Sequence, residues 1–406
     1  MKLISTRFIT MVIIFSIYPF QMYAGGFQLN EHGARAMAQG GAFAARAYDA
    51  SAIYFNPAGL GFQTGGSLYV GTTLITPKAD FYGPTNLQLS DKTEMVNQMF
   101  TPINVYATYS VTEDLHVGIG VNNPFGLGTE WPDNWAGKFL TEKIDLKSFF
   151  ISPTVAYKIS DQVSLGIGFN YVTGDVTINR YVSDPFDPHA KINLSLSGTG
   201  TGFNAGILYK ISPEFSAGVS YRSSVKIEAS GSATFNPNRS VYPGGDASAT
   251  LTLPSTAFVG VAYKGIDHLE LEADYQYVGW STYDKLVINF KKDGSAVTSP
   301  KNYTNVYILR FGGEYTMDEW QFRFGYLFDH NPVPNAFVEP LLPDADRNGI
   351  NLGVGYKINE NFNIDLSYLF LKFDDRKAKN TDPSIAFDGV YRSYANLLGV
   401  NFGYTF

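Results

Sequence analysis

Few residues in this chain are spaced for chemistry. The five histidines, His32, His116, His189, His268 and His330, lack the H-E-x-x-H spacing that sets two imidazoles on one metal ion. No G-x-S-x-G is present and no Ser/His pairing is readable, so no catalytic residue is assigned. Asp344, Asp346, Asn348 and Gly349 match the start of a calcium loop, but its twelfth position is Gly355, where a bidentate Glu is needed. The stretch reads as a loop turn, and no metal is expected. Gly200, Gly202 and Ala205 fit G-x-G-x-x-A but lead into a strand instead of opening a helix, so no dinucleotide or other cofactor is implied. What remains is apolar. Thr129–Lys147 carries Trp131, Trp135, Phe139 and Leu140, two of the four tryptophans falling within five residues. We read these four as a capture patch for a hydrophobic ligand; a loop packed on itself is the other reading.

The elements that would position such a patch are strands. Phe and Tyr are frequent (31 and 27), Gly is high at 40, and only 17% of residues are charged, an aromatic, Gly-rich and polar composition suited to an outer-membrane barrel. A mean hydropathy of −0.08 excludes a helical membrane protein. Met1–Ala24 reads as a cleaved secretory leader, with Lys2 and Arg7 before an apolar core from Phe8 to Tyr18. Its removal leaves 28 basic against 37 acidic residues, a net charge of −9, and no basic stripe, so nucleic acid is not an expected partner.

After the leader one hairpin design repeats. A Tyr closes an alternating segment and a short polar turn follows, at Tyr109, Tyr157, Tyr209, Tyr263, Tyr315 and Tyr356. Period-2 alternation flanks each, as in Tyr307, Leu309 and Phe311 against Arg310 and Glu314 on the other face. Short turns alternate with long ones such as Ser223–Pro254, the pattern of periplasmic turns and outer loops. Six hairpins, a first strand near Ser67–Ile75 and a last strand Ala395–Phe406 make 14. The expected fold is therefore all-β: a 14-stranded antiparallel transmembrane barrel over 67–406. A lumen of that width is not filled by wall side chains alone. Residues 25–66, rich in Ala and Gly and carrying a turn at Asn56, Pro57 and Ala58, are the expected N-terminal plug, with short helical turns between Ala34 and Ala45. In the third strand Asn122, Asn123 and Pro124 precede Gly126. Pro124 cannot donate to a ladder, so it either kinks the strand or opens an outer loop; a kink predicts a break in hydrogen bonding to the second strand.

GGFQLNE at Gly25, NPA at Asn56, NNPFGLGTEW at Asn122, YRSSVKIEASG at Tyr221, GWSTYDKL at Gly279, NPVP at Asn331, LPDADR at Leu342 and the ending GVNFGYTF occur in this order. In these stretches the chain resembles the FadL family (FadL/TodX-like) of outer-membrane transporters for long-chain fatty acids and other hydrophobic compounds. The resemblance implies passive transport of a fatty acid or an aromatic hydrocarbon. The ligand would leave sideways at the kinked third strand, through Asn122, Asn123, Pro124 and Gly126. It also implies a monomer among outer-membrane lipid and lipopolysaccharide, with Asn56, Pro57 and Ala58 anchoring the plug. Phe27 would reach the ligand pocket and Arg180 would hold a carboxylate. The family's second head-group position, a Lys, falls near Thr304 here; Lys301, Arg310 or Arg323 could substitute, although Arg310 and Arg323 are read as wall ion pairs with Glu314 and Asp329. The loop Tyr181–Thr201 is shorter than in fatty-acid members and similar to that of hydrocarbon members, which leaves the substrate class open. A barrel enzyme acting on lipids and a general porin are the remaining alternatives.

Overall fold

The computed structural model describes residues 25–85, 88–379 and 387–406; the expected leader lies outside them. Fourteen antiparallel strands follow one another: β1 (Gly66–Tyr82), β2 (Ile103–Ser110), β3 (Leu115–Asn122, resuming as Gly126–Glu130), β4 (Lys143–Lys158), β5 (Val163–Tyr181), β6 (Lys191–Lys210), β7 (Phe215–Arg222, then Val225–Asn236), β8 (Gly245–Leu253, then Thr256–Ile266), β9 (Leu269–Val278, then Lys285–Phe290), β10 (Ala296–Pro300, then Val306–Met317), β11 (Trp320–Asp329), β12 (Arg347–Lys357), β13 (Phe362–Phe373) and β14 (Gly389–Thr405). β14 pairs with β1 from Ser67↔Thr405 to Tyr82↔Val390, which closes the barrel. Closure pairs the first strand with the last, so the sheet has no terminal edge, as a lipid environment requires. Six turns of two to four residues join the strands at one end, where the chain end also lies.

The alternation is inverted relative to a soluble protein. On β10 and β11 the exposed side chains are Phe311, Tyr315, Phe322, Phe324 and Tyr326, while Arg310, Glu314, Arg323 and Asp329 are buried. Apolar-out and polar-in is the arrangement of a membrane barrel.

Two expectations on loops are corrected. Ser223–Pro254 is not one long loop: β7 and β8 continue through it, pairing from Val225↔Leu253 to Ala233↔Gly245. β6 likewise begins at Lys191, inside the expected loop Tyr181–Thr201. The inward residues here are Ile192, Leu194, Leu196, Ile227 and Leu253, all buried. A lumen face made of Leu and Ile hides the polar-in signal by which strands were recognised.

The N-terminal residues lie against the inner wall. α1 (Ala34–Met37) and α2 (Ala52–Phe55) are four residues each, too short to persist unaided, and Pro57–Phe62 forms a 3₁₀ turn. Wall side chains hold them. Asn401 Oδ1 accepts from Ala34 N at 2.8 Å, Asp274 Oδ2 accepts from Phe43 N and Ala44 N at 2.9 and 3.0 Å, and Glu272 accepts from Ala45 N and from Arg46 Nε. Asn56 caps the 3₁₀ turn through Ala58 N and donates to Ile207 O of the wall at 3.1 Å. Wall glycines permit the approach: a Cβ on Gly218 would stand 2.0 Å from Ala44 O, and one on Gly325 2.2 Å from Gly40 N.

Candidate binding path and wall opening

At the barrel end opposite the short turns, inward Val176 and Ile178 of β5, Leu194 and Leu196 of β6, and Leu251 and Leu286 line an apolar cavity of about 70 Å³. Leu341 and Leu342, from the segment between β11 and β12, close over it. Phe27 lines this cavity and also a second one of about 450 Å³. The second cavity runs from Phe27 and Arg347 in the interior to Pro102, Ile103, Lys147 and Phe149 in the wall. Phe27 thus stands, with Leu127, Leu146 and Leu342, between an apolar chamber and a gap beside β3. Its ring stands edge-on to Trp280 at 4.5 Å and to Tyr283 at 5.8 Å.

The gap arises at Pro124. β2 and β3 pair as far as Asn104↔Asn122; the outer half of β3 leaves β2 and pairs with β4, from Gly126↔Lys147 to Glu130↔Lys143, while Glu130 O accepts from Val96 N at 2.8 Å. Side chains replace part of the lost ladder. Asn123 accepts from Ile103 N at 2.9 Å and donates to Ser148 O at 2.6 Å, while Ser148 Oγ donates to Phe125 O at 2.7 Å. The N-terminal residues supply the rest: Leu29 N donates to Pro124 O at 2.8 Å and Gly126 N to Phe27 O at 3.0 Å, with Gln28 opposite Phe125. The expected interruption between the second and third strands is therefore present. Residues 27–29 lie along it as a substitute strand.

The end of this segment is held at three further points. Gly26 N donates to Asp344 Oδ2 at 3.0 Å, Trp280 Nε1 donates to Gly25 O at 3.0 Å, and Arg347 donates to Gly26 O. Burial pushes the Asp344 carboxyl up to about 6 against the opposing pull of Arg347. The pair that resembled a calcium loop thus serves elsewhere: Asp344 holds the N-terminal strand, and Asp346 accepts from Asn331 N.

The tryptophans are corrected. Trp131 and Trp135 are 1% and 5% exposed and stack at 4.5 Å with an interplanar angle of 14°. Trp131 Nε1 donates to Pro340 O and Trp135 Nε1 to Thr141 O, and Phe81 and Phe387 pack on Trp135. They form a core under the loops, because an indole that finds a carbonyl partner is satisfied when buried. Leu140 is partly buried against the same core, and Phe139 alone stays 48% exposed. The self-packed reading describes the two indoles, and no exposed four-residue patch exists.

Arg180 sits on the inward face of β5, two residues beyond Ile178 of the chamber lining. Its side chain has no hydrogen bond or ion pair among the described residues, and Glu339 acts on it electrostatically. Glu339 also forms an ion pair with the buried Lys301, which Arg180 influences in turn. Of the candidate second cations, Lys301 is therefore the one that shares the influence of Glu339 with Arg180. Arg323 pairs with Glu314 and Asp365, partly as expected. Arg310 makes no ion pair among the described residues; it binds Gly40 O, Asn30 and Gln276, while Asp329 pairs with Arg347. Ser148, Asp344, Arg347, Trp280 and Glu339 were not singled out from sequence as site residues. Trp280 and Asp344 lie in family-like stretches, but Glu339 lies between two of them and carried no signal.

Comparison with known proteins agrees with this architecture. The chain is 26% identical over 430 residues to the long-chain fatty acid transport protein of Escherichia coli O6:H1, covering 95% of each. Its fold is similar to the crystal structure of a Pseudomonas aeruginosa FadL homologue, with a TM-score of 0.84, 20% identity, and coverage of 94% of this chain and 100% of that one. It is also similar to that of the P. putida toluene transporter TodX, with a TM-score of 0.75, 16% identity, and coverage of 93% and 99%. The family model described as outer membrane protein transport protein (OMPP1/FadL/TodX) matches residues 16–406, and the chain belongs to this family of outer-membrane transport proteins.

Proposed function

We propose that this protein carries long-chain fatty acids or aromatic hydrocarbons passively from the outer face of the outer membrane into its hydrocarbon layer. The observation that carries the reading is the pair of mainly apolar cavities, the leucine chamber and the one that reaches the gap beside Pro124, which share Phe27, Leu127, Leu146 and Leu342 in their linings. A hydrophobic molecule finds favourable contacts in both, whereas a wet pore offers it none. Residues 25–66 act as the plug, and only its first five residues move. From Ala34 onward the segment is tied to the wall by ion pairs and hydrogen bonds, including Arg35–Glu314 at 2.6 Å and Arg46–Glu272 at 2.8 Å. Gly25–Leu29 is held by hydrogen bonds, with no ion pair of its own among the described residues, and lies over the exit. Arg180 receives a ligand head group when there is one. The protein works as a monomer in contact with lipid and lipopolysaccharide, and no catalytic residue is invoked. Uptake of labelled oleate and of toluene, compared in cells with and without the protein, tests the reading. Faster uptake of at least one is expected; no change in either refutes it.

A further inference from the structure

The cationic corner of the chamber already contains a carboxylate. Lys301 is 2% exposed, and its ammonium is paired with Glu339, whose side chain is itself only 13% exposed. Arg180, with no ion pair among the described residues, stands near enough for Glu339 to act on both cations. Each lies two positions from a residue that lines the apolar chamber: Ile178 before Arg180, Tyr303 after Lys301 and Leu341 after Glu339. Two cations and one anion leave a single positive charge, and it resides on the partly exposed Arg180.

We propose that Glu339 is the specificity-determining residue of this chamber, a resident carboxylate that neutralises Lys301 and so tunes the site toward uncharged hydrophobic ligands. The proposal rests on the transport reading above and refines its substrate class. A buried ion pair is locally neutral, and removing one partner exposes the full desolvation cost of the other. An incoming fatty acid would bring a second carboxylate beside Glu339, and two carboxylates sharing one site repel. It would then have to displace Glu339 from Lys301 or accept Arg180 as its only counter-charge. A hydrocarbon or an alcohol meets neither obstacle. The chamber walls favour the tail of either ligand, so discrimination falls on this corner.

The test compares oleate with oleyl alcohol, which share a tail and differ in charge, by competition against a fluorescent lipid bound to the purified full chain in detergent. In the wild type the alcohol is expected to bind at least as tightly as the acid at pH 8. In Glu339→Gln, Lys301 has lost its counter-ion, and the acid-to-alcohol affinity ratio is expected to rise at least tenfold. A ratio unchanged by E339Q overturns the proposal. The double variant Lys301→Met, Glu339→Leu removes the pair as a unit and keeps the proposal testable if E339Q does not fold. It is expected to retain the wild-type ratio, because Lys301 is not available to the ligand in the wild type. A double variant that loses acid binding while keeping the alcohol would show that Lys301 serves the ligand directly, which also overturns the proposal. Failure of the wild type to bind either ligand would instead count against the transport reading.

Discussion

Phe27→Ala should unfasten the N-terminal strand from the wall opening. Five hydrogen bonds hold Gly25–Leu29: two to β3, and one each with Asp344, Trp280 and Arg347. At about 1 kcal/mol net each they contribute roughly 5 kcal/mol. Burial of the Phe27 ring against Trp280 and Tyr283 adds about 3–5 kcal/mol, the usual cost of a core Phe→Ala change. Ordering five residues costs about 5–7 kcal/mol of backbone entropy. The difference leaves the segment closed by only about 1–5 kcal/mol, and deleting the ring removes most or all of that. A loss of about 3 kcal/mol corresponds to a roughly hundredfold fall in protection against hydrogen exchange. The assay is peptide-resolved exchange on the intact barrel, comparing residues 25–29 with residues 43–58. The first group should lose protection about a hundredfold, and the second, tied to Asp274, Glu272 and Ile207, should not change. Equal protection of residues 25–29 in wild type and variant would refute Phe27 as the fastening.

Three further outcomes are expected. Arg180→Ala should weaken oleate binding and spare toluene; equal loss of both would remove Arg180 from head-group recognition. Arg323→Met leaves Asp365 buried without its cation and weakens the hold on Glu314, so the barrel should lose about 3–5 kcal/mol in urea unfolding, and a loss under 1 kcal/mol would mean that the lumen network is not cooperative. Asp344 has a folded pKa of about 6, above its ordinary 3.8, so its burial opposes folding while charged and that cost is relieved as pH falls through about 6. Stability should therefore rise by about 1.4 kcal/mol between pH 8 and pH 5, reaching about 3 kcal/mol only below pH 3.8, and lose this rise in Asp344→Asn; a flat wild-type profile contradicts the assignment.

The barrel was legible because its periplasmic half obeys two strong rules. Tyr-closed short turns marked six hairpins, and the Arg310/Phe311 alternation marked which face was which. The outer half was not legible, for a physical reason: where Leu194, Leu196, Ile227 and Leu253 face inward, the lumen is apolar and strand resembles loop. Pro124 announced the broken ladder, since a missing donor is a local property. Its repair by Ser148 and by residues 27–29 depends on segments brought together only by closure. Composition located Trp131 and Trp135 but carried no information on burial; Pro340, the partner that buries Trp131, is 209 positions away. Glu339 was missed for the same reason, because its pairing with Lys301 depends on the segment between β11 and β12 folding back over the chamber.

The account turns on the N-terminal strand leaving the opening during transport, and a single cross-link tests that. Gln28 and Phe125 face each other as an antiparallel pair, at the separation a disulfide can span, and the chain has no cysteine of its own. Uptake of labelled oleate and toluene would be measured in cells carrying Gln28→Cys, Phe125→Cys, oxidised and then reduced. The account expects uptake to stop in the oxidised protein and return on reduction. Undiminished uptake with the disulfide intact would contradict it.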